Sequence, residues 1–281
     1  MDWGGIWPTE LSDENYAASF QALTGYPPYD YQKRVARLLF EGRNLVVRAP
    51  TGAGKTWAVL APFFCDGWNA PPARLIYALP LRTLANGIYR EARCAAGKLG
   101  KPVDAVTEGR RETTHPFVTL QTGEQPDDEF FDRGRIIVTT YDQVLSGLLC
   151  SPYGLSDRRH NVNAAAIAGA LVVFDEFHLM PPEKAFLTGV AALRLFKGLC
   201  QSVWMTATAT APLEQMLCSV LDAVPVPDGE DAMRQMIDSL PSVTSVRRTL
   251  VTESQPLSAE VVVRNHQRRS IAIVNTVGRA Q

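Results

Sequence analysis

Residues 49–56, Ala-Pro-Thr-Gly-Ala-Gly-Lys-Thr, have the types and spacing that grip a chain of phosphates. Glycines at 52 and 54 let the backbone turn sharply, so the N–H groups of Gly52, Ala53, Gly54 and Lys55 can converge on an anion. The helix that should begin at this loop adds its positive dipole end. Lys55 would reach the β- and γ-phosphates, and the Thr56 hydroxyl would ligate Mg²⁺. Residues Thr51 to Thr56 are therefore the expected ATP-binding set. Ala49 stands where this pattern usually has its first glycine.

A second cluster is Asp175-Glu176-Phe177-His178, directly after the apolar run Ala170–Phe174. On its own an Asp-Glu pair is a solvated acidic turn. Paired with a phosphate loop upstream in the same sheet, it divides into two roles. Asp175 would hold Mg²⁺ through water, and Glu176 would orient and deprotonate the attacking water. His178 is expected to hydrogen-bond toward a third cluster, Thr206-Ala207-Thr208. Threonine hydroxyls there could exchange partners as the γ-phosphate leaves. Gln32, in Tyr29-Asp30-Tyr31-Gln32, has an amide suited to two edge positions of adenine.

Other parts of the chain must bring these clusters together. The sequence alternates apolar strands with helical patterns. Strands are expected at Asn44–Arg48, Arg74–Leu79, Val118–Gln121, Arg135–Thr140, Ala170–Phe174 and Ser202–Thr206. Helices are expected after Ser12 (Tyr16, Phe20 and Leu23 inward) and from Tyr31 to Gly42. Others should follow the phosphate loop, run through Leu81, Leu84, Ala85, Ile88 and Ala92, span Asp142–Leu149, and span Glu183–Leu199. Strands apolar along their whole length, alternating with helices, predict an α/β fold with a mostly parallel sheet covered on both faces. Ligands in such sheets sit at the carboxyl ends of strands, where each cluster falls.

The domain plan follows. Residues 1–45 read as N-terminal helices with the Gln32 motif, and 46–222 as the nucleotide-binding lobe. The stretch 223–245, rich in Pro, Asp, Ser and Gly, reads as a linker. A strand at Val246–Val251, a helix over Leu257–Gln267 and a strand at Ser270–Asn275 then open something new. Unaided domains shorter than ~40 residues are rare, so 246–281 reads as the start of a second domain that is cut off.

Composition limits the alternatives. Across 281 residues, 46% hydrophobic and 20% charged content describes a globular core, and a net charge of −1 argues against a nonspecific polycation. It leaves open a protein that holds nucleic acid through backbone N–H groups and helix ends. The cysteines, at 65, 94, 150, 200 and 218, form no C-x-x-C pair, so no zinc site or disulfide framework is expected. They read as small buried hydrophobes in a reducing cytoplasm. No stretch approaches the ~20 apolar residues of a membrane helix.

The ordered set Gln32, APTGAGKT, ALPLRTLA, TTYDQ, DEFH, TAT and IVNTVGRAQ resembles superfamily-two helicases of the DEAD/DEAH type, with RecA-like motor lobes. The segments NVNAAAIAGALVVFDEFHLM and SVWMTATAT are most similar to the CRISPR-associated helicase–nuclease of type I systems. That resemblance implies ATP-driven movement on single-stranded DNA and recruitment by an RNA-guided CRISPR surveillance complex. It assigns phosphate and Mg²⁺ binding to Lys55, Thr56 and Asp175, catalysis to Glu176 with Lys55 and His178, and coupling to His178, Thr206 and Thr208. It also implies nucleic-acid contacts at Pro80, Leu81, Arg82, Thr139 and Thr140.

The chain departs from that family in two respects. Its histidines, His115, His160, His178 and His266, include none that precedes an Asp, so the family's histidine–aspartate nuclease is not expected here. The second lobe's arginine finger has no match either, Arg279 lying in a different motif. ATP turnover and unwinding are therefore expected to be impaired in the isolated chain. Two other readings remain open, a generic RNA helicase and a nucleotide-responsive docking module without turnover.

Overall fold

The computed structural model describes residues 13–65, 71–108, 111–152, 161–241 and 258–266. Residues 1–245 and 246–281 form two units. The first begins with α1 (Asp13–Thr24), α2 (Asp30–Phe40), β1 (Asn44–Arg48), α3 (Lys55–Phe64), β2 (Leu75–Leu79) and α4 (Arg82–Lys98). It continues through β3 (Val106–Glu108), β4 (Arg111–Thr114), β5 (Val118–Gln121), β6 (Ile136–Thr140), α5 (Tyr141–Leu148) and α6 (Val162–Ile167). The last elements are β7 (Leu171–Asp175), α7 (Leu187–Leu195), β8 (Gln201–Thr206), α8 (Ala211–Leu221), β9 (Ala223–Val226) and α9 (Gly229–Ser239). Of the second unit only α10 (Ala259–Arg264) is described as an element, its first turn capped by Ser258 Oγ.

Seven strands make one sheet in the order β5-β6-β2-β7-β8-β1-β9, with every neighbouring pair parallel. This is the RecA-like α/β architecture that the strand–helix alternation predicts. β3 and β4 form a separate antiparallel pair. The period of two along each strand divides the core. Leu45, Val47, Leu75, Tyr77, Leu171, Val173, Val203 and Met205 pack on one face, with Ala58 and Val59 of α3 and Ala85 and Ala92 of α4. Val46, Ile76, Ile137, Val172, Phe174 and Trp204 pack on the other, with α5, α7 and α8. The N-terminal helices add a smaller cluster of Tyr16, Phe20, Leu23 and Ala36 against Ala61, Cys65 and Ala95.

Both edges of the sheet are irregular. At one, Gln121 of β5 makes an antiparallel bridge to Pro126. At the other, β9 contains Pro225, in register with Val46. A proline is tolerated there because an edge strand needs ladder donors on one side only.

That edge corrects the expected linker. Residues 223–226 are a strand of the sheet, and Met233, Met236 and Leu240 join the core beside Val47 and Val226. The Pro, Asp and Gly content marks the turns around β9, while apolar residues three and four apart mark a docked helix. Two further expectations change. Along α4, Ala85, Ala92, Ala95 and Ala96 are buried, whereas Leu81 and Leu84 are exposed, because Leu81 is an extended residue that precedes the helix. The expected helix over 183–199 is a π-helical turn (Pro182–Phe186) followed by α7, which ends at Leu195 before a turn that has Gly198 at φ 80°. Among the cysteines Cys65 is buried, but Cys94 and Cys150 are exposed. The expected cap at Ser12, the strands at 246–251 and 270–275, His160, Arg279 and the closing IVNTVGRAQ lie outside the described residues. Among the described residues no helix is long and apolar enough to cross a membrane.

Leu240 is fully buried in the same cluster as β1. Leu240→Ala should therefore destabilise the lobe by about 2–5 kcal/mol in urea unfolding. An unchanged midpoint would mean that residues 229–240 behave as a tether and not as part of the core.

Candidate nucleotide site

The phosphate loop leaves β1 and enters α3 through two glycines in the left-handed region, Gly52 at φ 82° and Gly54 at φ 77°. Only glycine fits easily at 54. A Cβ there would sit 2.8 Å from Gln32 Nε2, in addition to the backbone strain. α2 holds the loop from outside. The Tyr31 hydroxyl donates to Ala53 O at 2.6 Å, and Gln32 Nε2 donates to Gly54 O at 3.0 Å. Gln32 Oε1 accepts from Tyr29 N–H at 2.8 Å. Both ends of the Gln32 amide are thus engaged within the protein and the side chain is buried, so the expected edge-on reading of adenine is not the geometry seen here. Thr51 and Gly52 are exposed at the mouth of the loop.

The acidic pair faces this loop. The order β7-β8-β1 leaves a single strand between the one that ends in Asp175 and the one that feeds the loop. Asp175 lies on the same face as Val173 and Tyr77, the face covered by α3. Glu176 should alternate to the opposite face. It instead adopts a left-handed backbone, φ 55°, at a cost of about 1–3 kcal/mol, and this re-aims its side chain. Glu176 Oε1 lies 3.6 Å from Lys55 Nζ, which also donates to Ala49 O at 3.1 Å. Glu176 Oε2 faces His178 Nδ1 at 3.4 Å and accepts no hydrogen bond among the described residues.

His178 Nδ1 pairs with Thr206 Oγ1 at 2.8 Å, and Thr206 Oγ1 also accepts from Thr208 N–H at 3.0 Å. The end of β8 is joined to the start of the loop by Ala49 N–H donating to Thr206 O at 3.2 Å. A line of charged contacts from Lys55 through Glu176 to His178 therefore continues as hydrogen bonds to Thr206 and Thr208.

Two tyrosines absent from the sequence reading complete the floor. The Tyr77 hydroxyl donates to Asp175 Oδ2 at 2.7 Å, and the Tyr141 hydroxyl donates to Asp175 O. Tyr141 directly follows β6, which was the available signal for it, whereas Tyr77 lies in the middle of β2 and reads as core. Burial pushes the Asp175 carboxyl up to about 6, with the Glu176 charge adding to the effect; the Tyr77 hydrogen bond and Lys55 oppose it. Burial also raises both phenols above their usual range. Arg48, the last residue of β1, was missed as well. It is buried, donates from Nη2 to Glu230 Oε1 at 2.6 Å and lies 3.3 Å from Glu214 Oε2, tying α8 and α9 to the strand beneath the loop.

The donor set fits a magnesium–triphosphate. Thr56 and Asp175 offer hard oxygens, the remaining positions suit phosphate and water, and Glu176 Oε2 is a buried acceptor with no hydrogen bond of its own.

The expected polymer contacts divide. Leu81 and Arg82 are exposed at the carboxyl end of β2 beside half-buried Pro80, and Arg82 Nη1 pairs with Glu124 Oε1 at 2.5 Å. Thr139 and Thr140 are buried, because β6 is an interior strand with both faces covered. Their side chains are not presented to a polymer, which corrects the expectation for them.

A phosphate loop and an Asp-Glu strand end on an all-parallel sheet define the class of RecA-like P-loop domains. Within that class the chain belongs to the DEAD/DEAH box helicase family, whose pattern matches residues 29–216. No curated protein sequence matches the chain. Among solved structures, the DUF1998 helicase MrfA bound to DNA and AMPPNP has 16% identity and a TM-score of 0.56, covering 80% of this chain and 30% of that one. T. fusca Cas3 with AMPPNP has 19% identity and a TM-score of 0.54, covering 72% and 24%. S. cerevisiae Dbp5 bound to RNA and ADP BeF3 has 17% identity and a TM-score of 0.53, covering 80% and 52%. The chain thus spans between a quarter and about half of the length of these proteins, and the likeness is one of fold.

Asp175 gives a pH prediction. Its folded-state carboxyl is raised above the ordinary 3.8, so the folded lobe holds the proton more tightly than the unfolded chain does. Stability is lost as pH rises from about 4 through 6, and the full penalty persists above that. Without ligands, Asp175→Asn should raise the melting temperature at pH 7.5, by the equivalent of about 1–3 kcal/mol. The gain should shrink as pH falls through 6. A gain independent of pH between 5 and 8 would contradict the burial argument.

Proposed function

We propose that this chain is the ATP-gripping lobe of a nucleic-acid motor, directed to single-stranded DNA in a type I CRISPR defence system in the cytoplasm. The approach of Lys55 to Glu176 across the phosphate loop, 3.6 Å between charged atoms, carries the ATPase part of this reading. Lys55 would meet the β- and γ-phosphate oxygens as its contact with Glu176 loosens. The N–H groups of residues 52–55 would cradle the phosphate chain at the amino end of α3. Glu176, freed from Lys55, would accept a proton from the attacking water, a role worth ~10²–10⁴ in rate. Mg²⁺, when bound, supplies charge neutralisation of the phosphates, with Thr56 as ligand and Asp175 holding it through water. His178 would sense the rearrangement of Glu176 and pass it to Thr206 and Thr208.

Support for DNA and for the CRISPR assignment is narrower. It rests on the wording of NVNAAAIAGALVVFDEFHLM and SVWMTATAT, and on exposed Leu81 and Arg82 as a place for a phosphate backbone. Residues 246–281 are read as part of a second RecA-like lobe, with an RNA-guided surveillance complex as recruiting partner.

Lys55→Ala should weaken Mg·ATP binding by about 10–100-fold, the worth of a charge-assisted contact, in a fluorescent-nucleotide titration. Glu176→Gln should retain binding and lose phosphate release. Equal nucleotide affinity in wild type and Lys55→Ala would refute the site. Phosphate release stimulated more by single-stranded RNA than by DNA would replace the DNA reading with that of an RNA helicase.

A further inference from the structure

The Tyr77 hydroxyl has no part in the chemistry above, yet it is bonded to a residue that would serve the cation. Tyr77 is fully buried in β2 and pairs in register with Val173, two residues before Asp175 on the same face. Its hydroxyl is 2.7 Å from Asp175 Oδ2. A carboxylate can only accept, so the single phenolic proton goes to Asp175. Asp175 Oδ1 accepts from Glu176 N–H at 2.9 Å, which fixes the carboxylate at both oxygens.

A carboxylate held at both oxygens presents its remaining lone pairs in one direction, and lone pairs are what a cation requires. Without the phenol, Oδ2 could turn away from the metal. Partners that orient metal-binding groups in this way contribute substantially to metal affinity.

We propose that Tyr77 is a positioning residue for the magnesium ion of the bound nucleotide, holding the Asp175 carboxylate in the orientation that serves the cation. This rests on the nucleotide-site reading above. Phenylalanine at 77 would fill the same space in the core and remove only the hydrogen bond.

The test uses the full chain. A fluorescent ATP analogue is titrated in EDTA and then across a series of Mg²⁺ concentrations, for wild type, Tyr77→Phe, Asp175→Asn and the double variant. Tyr77→Phe should raise the half-saturating Mg²⁺ concentration about 10-fold. In the Asp175→Asn background the same substitution should cost much less, because its partner is already altered. Circular dichroism and ligand-free melting check that Tyr77→Phe is folded. A Tyr77→Phe curve that overlays wild type while Asp175→Asn is shifted overturns the role of Tyr77 alone. An equal loss in both backgrounds also overturns it, by making the effect one of general packing. Nucleotide binding in wild type that ignores Mg²⁺, or that Asp175→Asn leaves untouched, overturns the underlying site reading instead.

Discussion

The site depends on a buried ammonium finding a counter-charge. Lys55 is 7% exposed at the foot of α3, where an unpaired cation would be costly. Its partners are a carbonyl at the start of its own loop and Glu176 at the end of a strand more than a hundred residues later. That arrangement requires β7 and β1 to lie one strand apart with their carboxyl ends level, and the parallel order β7-β8-β1 supplies it. It also requires Glu176 to leave the regular alternation of its strand, which the left-handed residue accomplishes. A phosphate chain entering this space brings the negative charge for which Glu176 substitutes.

The sequence made the architecture legible wherever hydrophobic pattern and position agreed. The central strands carry near-continuous apolar runs because helices cover both faces, so β1, β2, β6, β7 and β8 were placed to within a residue. Glycines at 52 and 54 announced the loop because the backbone there has positive φ. The pattern failed where composition misled it. Prolines around β9 suggested a tether, but Pro225 occupies an edge where a missing donor costs little. Leu81 and Leu84 extended the α4 stripe on paper, while the buried face is lined with alanines that let the helix lie close to the sheet.

Within the site, charged and glycine-bearing motifs were legible and the supporting tyrosines were not. Tyr77 sits in a run, Leu-Ile-Tyr-Ala-Leu, that reads as ordinary core, and only the register with β7 shows that its hydroxyl meets Asp175. Gln32 was legible as a functional glutamine but not as a brace. Its bond to Gly54 O, with that of Tyr31 to Ala53 O, makes α2 and the phosphate loop a single mechanical piece. Arg48 is a similar case, because its carboxylate partners come from segments far along the chain.

The irregular rims of the sheet bear on how the molecule coexists with its own copies. A long row of parallel strands offers two open flanks, each a template for stacking another chain. Here one flank folds back on itself at Gln121 and Pro126, and the other carries Pro225, which cannot donate. A seven-stranded sheet is thereby kept from recruiting strands indiscriminately, and association is left to side chains and exposed loops.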